Sequence, residues 1–100
     1  MRDKIYTSEE IADSLKPVFE EYGVKSAILF GSYGKGTATE KSDIDLLVDS
    51  SLRGLRFASL IESVRETLED KTIDMFDVTH IDSGSLIDRE IQQIGVRIYG

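Results

Sequence analysis

Two short apolar runs, at 24–30 and 43–48, constrain what this chain can fold into more than any other feature. The first carries Ala27-Ile28-Leu29-Phe30 between Gly23 and Gly31, the pattern of a buried strand. The second places Ile44, Leu46, Leu47 and Val48 on both strand faces, which predicts a central position in a sheet. Such strands need helices to cover them, and segments with helical periodicity flank the pair. Thr7-Ser8-Glu9-Glu10 is a capping box, followed by Ile11, Leu15, Val18, Phe19 and Tyr22 on one helix face. Pro17 falls inside that run, where it either kinks the helix or stands early in a second helical piece. Gly23 closes the helix. Phe57, Leu60, Ile61, Val64 and Leu68 predict a second helix over 55–68. A third strand is expected at 72–78. Ser83-Gly84-Ser85 then opens a short helix that ends at Ile91 or Ile94, and Val96-Arg97-Ile98-Tyr99 reads as a last strand. The order α-β-β-α-β-α-β predicts an α+β fold, a mixed sheet of α/β character with helices packed against it.

The 100 residues suffice for one domain, 1–100, with a modest core. No apolar stretch approaches membrane-spanning length. The start, Met1-Arg2-Asp3-Lys4, is charged, so no signal peptide is expected. The absence of cysteine excludes disulfides and thiolate zinc sites and makes a cytoplasmic location the default. A single histidine, His80, disfavours a histidine-built metal site or a Ser-His-Asp triad, and it reads as structural or exposed. The formal charge of −7 disfavours nucleic acid as a partner, and it also suits a carboxylate site for divalent cations.

Asp43 and Asp45 stand two apart on the second predicted strand, so both carboxylates project from one face. Two facing anions in an apolar strand repel, and a hard divalent cation such as Mg²⁺ would relieve that cost. Taken alone, the pair is better read as a strand that has surfaced, with both carboxylates in water. Gly31-Ser32 ends the preceding strand, and its loop amides with the Ser32 hydroxyl could form an anion cradle, although alone it reads as an ordinary turn. Ten residues separate the two elements. Together they place a phosphate cradle beside a cation site, as a nucleoside triphosphate with its metal requires. Other nucleotide motifs fail. A P-loop needs Lys after Gly36, which is followed by Thr37, and the dinucleotide fingerprint lacks its third Gly at Thr39.

The stretch Leu29-Phe30-Gly31-Ser32-Tyr33-Gly34-Lys35-Gly36, then Ser42-Asp43-Ile44-Asp45-Leu46-Leu47-Val48, resembles the minimal nucleotidyltransferase (MNT) family of the polymerase-beta-like nucleotidyltransferase superfamily. The likeness extends to the first helix, the 55–68 helix, Ile73-Asp74-Met75-Phe76-Asp77 and the closing Gly95-Val96-Arg97-Ile98-Tyr99. It implies a third metal-associated carboxylate, best matched by Asp74. Asp77 lies at odd offset on the opposite face and reads as a strand-end or surface residue, and Asp49 reads as solvated. Lys35 stands where family members commonly have Arg, keeping the charge but not the bidentate fork. Arg53 and Arg56 are read as exposed, and Tyr33 as a stacking or loop-covering residue.

The resemblance further implies transfer of a nucleoside monophosphate, AMP from ATP, to an acceptor hydroxyl. Asp43, Asp45 and Asp74 would be the catalytic and metal-holding residues, with Mg²⁺ or Mn²⁺, and Gly31, Ser32 and Lys35 would bind nucleotide. MNT proteins of this size pair with HEPN-domain toxins in toxin–antitoxin modules, which implies a protein adenylyltransferase antitoxin acting on a partner tyrosine. The alternatives are an antitoxin that keeps the fold and acts by contact alone, or nucleotide transfer to RNA ends. A membrane partner is not expected, and a homo-oligomer is left open.

Overall fold

The computed structural model describes residues 5–100; the charged start at 1–4, on which the reading of no signal peptide rests, lies outside the described residues. Helix α1 spans Ser8–Tyr22, strand β1 Ser26–Phe30, helix α2 Gly31–Lys35 and strand β2 Ile44–Asp49. Helix α3 spans Gly54–Thr67, strand β3 Ile73–Asp77, helix α4 Leu86–Ile94 and strand β4 Val96–Tyr99. A single 3-10 turn, Val78–His80, follows β3. The expected order holds, with one addition. The stretch read as an unbroken loop from 31 to 42 begins with α2, because Gly31 and Gly36 at positive φ allow a one-turn helix to start and stop abruptly.

The capping box at Thr7 forms as expected: its hydroxyl accepts from the Glu10 amide and the Glu10 carboxylate from the Thr7 amide. Pro17 lies within one continuous helix, and Gly23 closes it in the left-handed conformation. The four strands run in the order β3-β2-β1-β4. β1 pairs antiparallel with both β2 and β4, whereas β2 and β3 are parallel. The mixed sheet of the sequence reading is therefore correct, and β2 is central as its two apolar faces demand.

The two sheet faces differ. On one, Ala27, Leu29, Ile44, Leu46 and Val48 are buried against Ile11, Leu15 and Phe19 of α1 and Leu60 and Val64 of α3, forming the main core. On the other, a smaller cluster of Phe30, Leu47 and Ile91 takes in Ile28, Phe76 and Ile81. Tyr33, read as a residue that stacks or covers the loop, instead belongs to the main core, since α2 turns its ring inward.

Asp77 corrects the sequence reading. Its odd offset does send it to the face away from Asp74, but it is 1 % exposed rather than at the surface. The Ser50 amide and hydroxyl donate to Oδ1 at 3.0 and 2.6 Å, and the Thr79 amide and hydroxyl donate to Oδ2 at 3.1 and 2.8 Å. Burial alone would raise its pKa, but these four donors outweigh burial and hold it below the ordinary 3.8. His80 is exposed, its Nδ1 accepting from the Asp77 amide and its ring lying edge-on to Phe57.

Asp77→Ala strands these donors and is expected to cost about 2–4 kcal/mol in urea unfolding at pH 7, with Asp77→Asn costing less. Because the folded pKa is depressed, this stabilisation is present above pH 3.8 and lost as pH falls through the folded value. The gap between wild type and Asp77→Ala should therefore narrow in acid.

Candidate active site

The register of β2 builds the site. Asp45 lies opposite Phe30 on β1 and opposite Asp74 on β3, so the two carboxylates are neighbours on the face of the smaller cluster. Asp43 stands one residue ahead of β2 rather than inside it, and is exposed. Asp49 is the last residue of β2 and half-buried. At the end of β1 the chain turns into α2 at Gly31, with φ of 67°. A methyl group there would collide with the Asp45 carboxylate, so only glycine lets Asp45 lie against this turn. No side chain caps the start of α2. The first-turn amides at Gly31 and Ser32, which have no carbonyl one turn earlier in the helix, thus begin beside the Asp45 carboxylate.

The electrostatics are those of crowded acids. Burial first, then the charges of Asp74 and Asp43, push the Asp45 carboxyl up from 3.8 to about 6, and a hydrogen bond with Asp74 adds to the rise. Glu90 on α4 contributes in the same direction. It went unnoticed in the sequence; its available signal was its place beside Ile91, the residue that seats α4 on the smaller cluster.

Not every expected residue converges. Gly31, Asp45 and Asp74 are brought together, with Ser32 next to Gly31 and half-buried. Lys35, at the far end of α2, lines a cleft of about 300 Å³ with Tyr6, Ser8 and Ala38 that includes none of the three aspartates. Arg56 lies over the Tyr22 ring at 5.4 Å, and Arg53 precedes α3; both are exposed, as expected. Gly34 is a further requirement of the site. A side chain there would come within 2.9 Å of the Ile94 carbonyl and 3.0 Å of the Leu29 carbonyl, so glycine lets α2 lie close to α4 and β1.

Residues 13–100 match the family of polymerase beta nucleotidyltransferases. The chain belongs to that family. Over 47 residues, 43 % of this chain and 48 % of the relative, the nucleotidyltransferase is 51 % identical to a putative protein adenylyltransferase of Methanocaldococcus jannaschii. It is 47 % identical over 47 residues, again 43 % and 48 % of the two chains, to the protein adenylyltransferase MntA of Thermococcus cleftensis. These matches span about half the length of those relatives. The fold resembles a toxin–antitoxin crystallised with AMP-PNP, with TM-score 0.73 and 22 % identity over 89 % of this chain and 73 % of that one. It also resembles a complex of MNT antitoxin with tri-AMPylated HEPN toxin from Shewanella oneidensis, at TM-score 0.68 and 18 % identity over 93 % and 72 % of the two chains. These likenesses establish the polymerase-beta-like fold expected from the sequence.

Whether the site suits a divalent metal turns on its donors. Among the described residues, no three acidic or histidine side chains are already gathered into a ligand set. Asp45 and Asp74 meet, while Asp43 reaches them through charge and, being exposed, is open to a change of rotamer. These three carboxylates, two of them facing each other across β2 and β3, are hard oxygen donors whose repulsion a cation would relieve, and in that respect they fit the group.

In metal-free protein, the folded state holds a proton on Asp45 that the unfolded chain loses above pH 3.8. The sign follows: this residue's contribution to stability declines as pH rises from about 4 to about 6, then levels off. Asp45→Asn should be more stable than wild type above pH 6 by about 1 kcal/mol, less than the roughly 3 kcal/mol of two pKa units, because solvent reaches the half-buried carboxyl. Gly31→Ala is expected to destabilise by about 2–4 kcal/mol through positive φ and the collision with Asp45, read by thermal or urea unfolding.

Proposed function

We propose that the protein is a metal-dependent nucleotidyltransferase that moves AMP from ATP to an acceptor hydroxyl, a tyrosine on a HEPN-type partner, and thereby acts as an antitoxin. The observation that supports this most directly is the seat of Asp45, pressed against Gly31 on one side and paired with Asp74 on the other. A phosphate-binding turn and a carboxylate pair then lie within one side chain of each other. The likeness to protein adenylyltransferases, and to an MNT antitoxin in complex with a tri-AMPylated HEPN toxin, supports the choice of AMP and of a protein acceptor.

Asp43, Asp45 and Asp74 would hold Mg²⁺ or Mn²⁺, which when bound neutralises triphosphate charge and acidifies the acceptor hydroxyl. The Gly31 and Ser32 amides and the Ser32 hydroxyl donate to phosphate oxygens and orient the pyrophosphate leaving group. Lys35, exposed at the far end of α2 beside a cleft that holds none of the aspartates, would have to swing out of that cleft to reach the triphosphate. The acceptor oxygen forms a bond to the α-phosphorus as the bond to the bridging oxygen breaks, and pyrophosphate leaves with that electron pair. The acceptor proton passes to the Asp74 carboxylate, which is exposed and can release it to water.

Contact alone would neutralise a partner without chemistry, yet paired acids against a glycine turn contribute nothing to such a scaffold. The deciding experiment incubates the protein with Mg²⁺, α-labelled ATP and a HEPN-domain protein. Label is expected on a partner tyrosine, with Asp43→Ala, Asp45→Ala and Asp74→Ala each lowering transfer by at least about a hundredfold. Neutralisation of the partner that persists in these variants with no label transferred would establish the contact reading instead. Label appearing on RNA would favour the third reading.

A further inference from the structure

Lys71 is 9 % exposed, and its ammonium donates to the Glu40 carbonyl at 2.7 Å, across 31 positions of sequence. Desolvating a lysine is costly, and a solvent-exposed loop does not need one for stability alone. What it reaches is the segment that delivers Asp43. The adjacent Thr72 carbonyl accepts from the Ile44 amide at 2.9 Å. Consecutive residues of one turn thus hold both ends of the stretch from Glu40 to Ile44, and Asp43 sits between the anchors. The turn is itself fixed, since the Lys71 amide donates to the Leu68 carbonyl at the end of α3. Two residues beyond Thr72 the same chain places Asp74 on β3.

From Thr39, just ahead of the clamped stretch, to Ser42 within it the backbone is organised further. The Thr39 amide donates to Ser42 Oγ at 2.8 Å, and the Ser42 amide donates to the Thr39 carbonyl at 3.0 Å. That reciprocal pair rigidifies the bend but ties it to nothing outside itself. The bonds from Lys71 and to Thr72 relate the bend to β3.

We infer that Lys71 is a positioning residue, which fixes the loop bearing Asp43 relative to the strand bearing Asp74. The inference rests on the metal-dependent reading above for its functional consequence, although the clamp itself does not. Lysine suits the task because a long stem can cross the gap while its ammonium makes a charge-assisted bond to a backbone carbonyl, one that no substitution at Glu40 removes.

The test uses the full chain with two readouts. Amide hydrogen exchange at 40–44 reports the clamp, and Mn²⁺ titration followed by electron paramagnetic resonance reports assembly of the carboxylates. Lys71→Met keeps the stem and removes the donors. It is expected to speed exchange at Ser42 and Ile44, whose amides are hydrogen-bonded, by about tenfold and weaken Mn²⁺ binding by about tenfold, leaving β1 exchange unchanged. Lys71→Arg, which restores a charged donor, should recover most of both. If Lys71→Met does not fold, Lys71→Gln, a donor with shorter reach, carries the same measurements. Exchange at Ser42 and Ile44 that is unchanged in the folded variant overturns the clamp, as does faster exchange throughout the sheet. Faster local exchange with unchanged Mn²⁺ affinity overturns the positioning role. Wild-type protein whose Mn²⁺ binding is indifferent to Asp45→Asn would instead count against the metal-dependent function, while the exchange result would still decide the clamp.

Discussion

Strand β2 pairs on both edges, antiparallel to β1 and parallel to β3, and nearly everything else in the molecule follows from that placement. Its even-numbered residues Ile44, Leu46 and Val48 are fully buried and join the core under α1 and α3. Its odd-numbered residues Asp45, Leu47 and Asp49 face the other way. The register cannot slip by one residue without carrying three aliphatic side chains out of the core and driving aspartates into it. Burial of one face therefore fixes the chemistry of the other. Asp45 is held opposite Phe30 and Asp74 by the apolar demand of its neighbours, more than by any interaction of its own.

The functional face is divided along its length. Phe30, Leu47, Phe76 and Ile91 form an apolar patch under α4, and Phe30 and Phe76 lie 6.2 Å apart between ring centres. Asp45 and Asp74 occupy the adjoining stretch of the same face. A small chain needs most of its apolar area for stability, and here the main core supplies it on the far side of the sheet. The near side can then carry repelling carboxylates at a cost the rest of the fold absorbs, which is the usual relation between a stable scaffold and a strained site.

Much of this was legible in the sequence because burial periodicity and cap chemistry are local. The Thr7 capping box, the left-handed Gly23, the apolar strands and the 3.6-residue stripe of α3 all rest on residues close in the chain. Gly31-Ser32 and Asp43-x-Asp45 were legible for the same reason. The failures share a different cause. Helix α2 is too short to show periodicity, and its glycines resemble those of a loop. The burial of Asp77 depends on Ser50, 27 positions away, and the contribution of Glu90 on the seating of α4. Parity placed Asp77 on the correct face but could not supply the donors that make a buried carboxylate tolerable. Lys71 reads as a turn residue until its distant carbonyl partner is known.

Asp45 and Asp77 show why partners, rather than depth, decide what a carboxylate is for. Asp77 is the more deeply buried, yet its acidity is strengthened because four donors from Ser50 and Thr79 surround it. Asp45 is only half-buried, yet its pKa rises to about 6, first through that burial and then through the charges of Asp74, Asp43 and Glu90, all of which act in the same direction. The chain has built the counterpart of one carboxylate into its own backbone and hydroxyls, so that site is closed and structural. Around the other it has gathered anions beside a turn with uncapped amides. A proton on Asp45 is the smallest positive charge that can relieve such a site, and with a pKa of about 6 it is held only weakly near neutral pH. A divalent cation carrying phosphate oxygens satisfies the same electrostatic demand more completely, since it neutralises the acids while its anionic cargo meets the amides of Gly31 and Ser32.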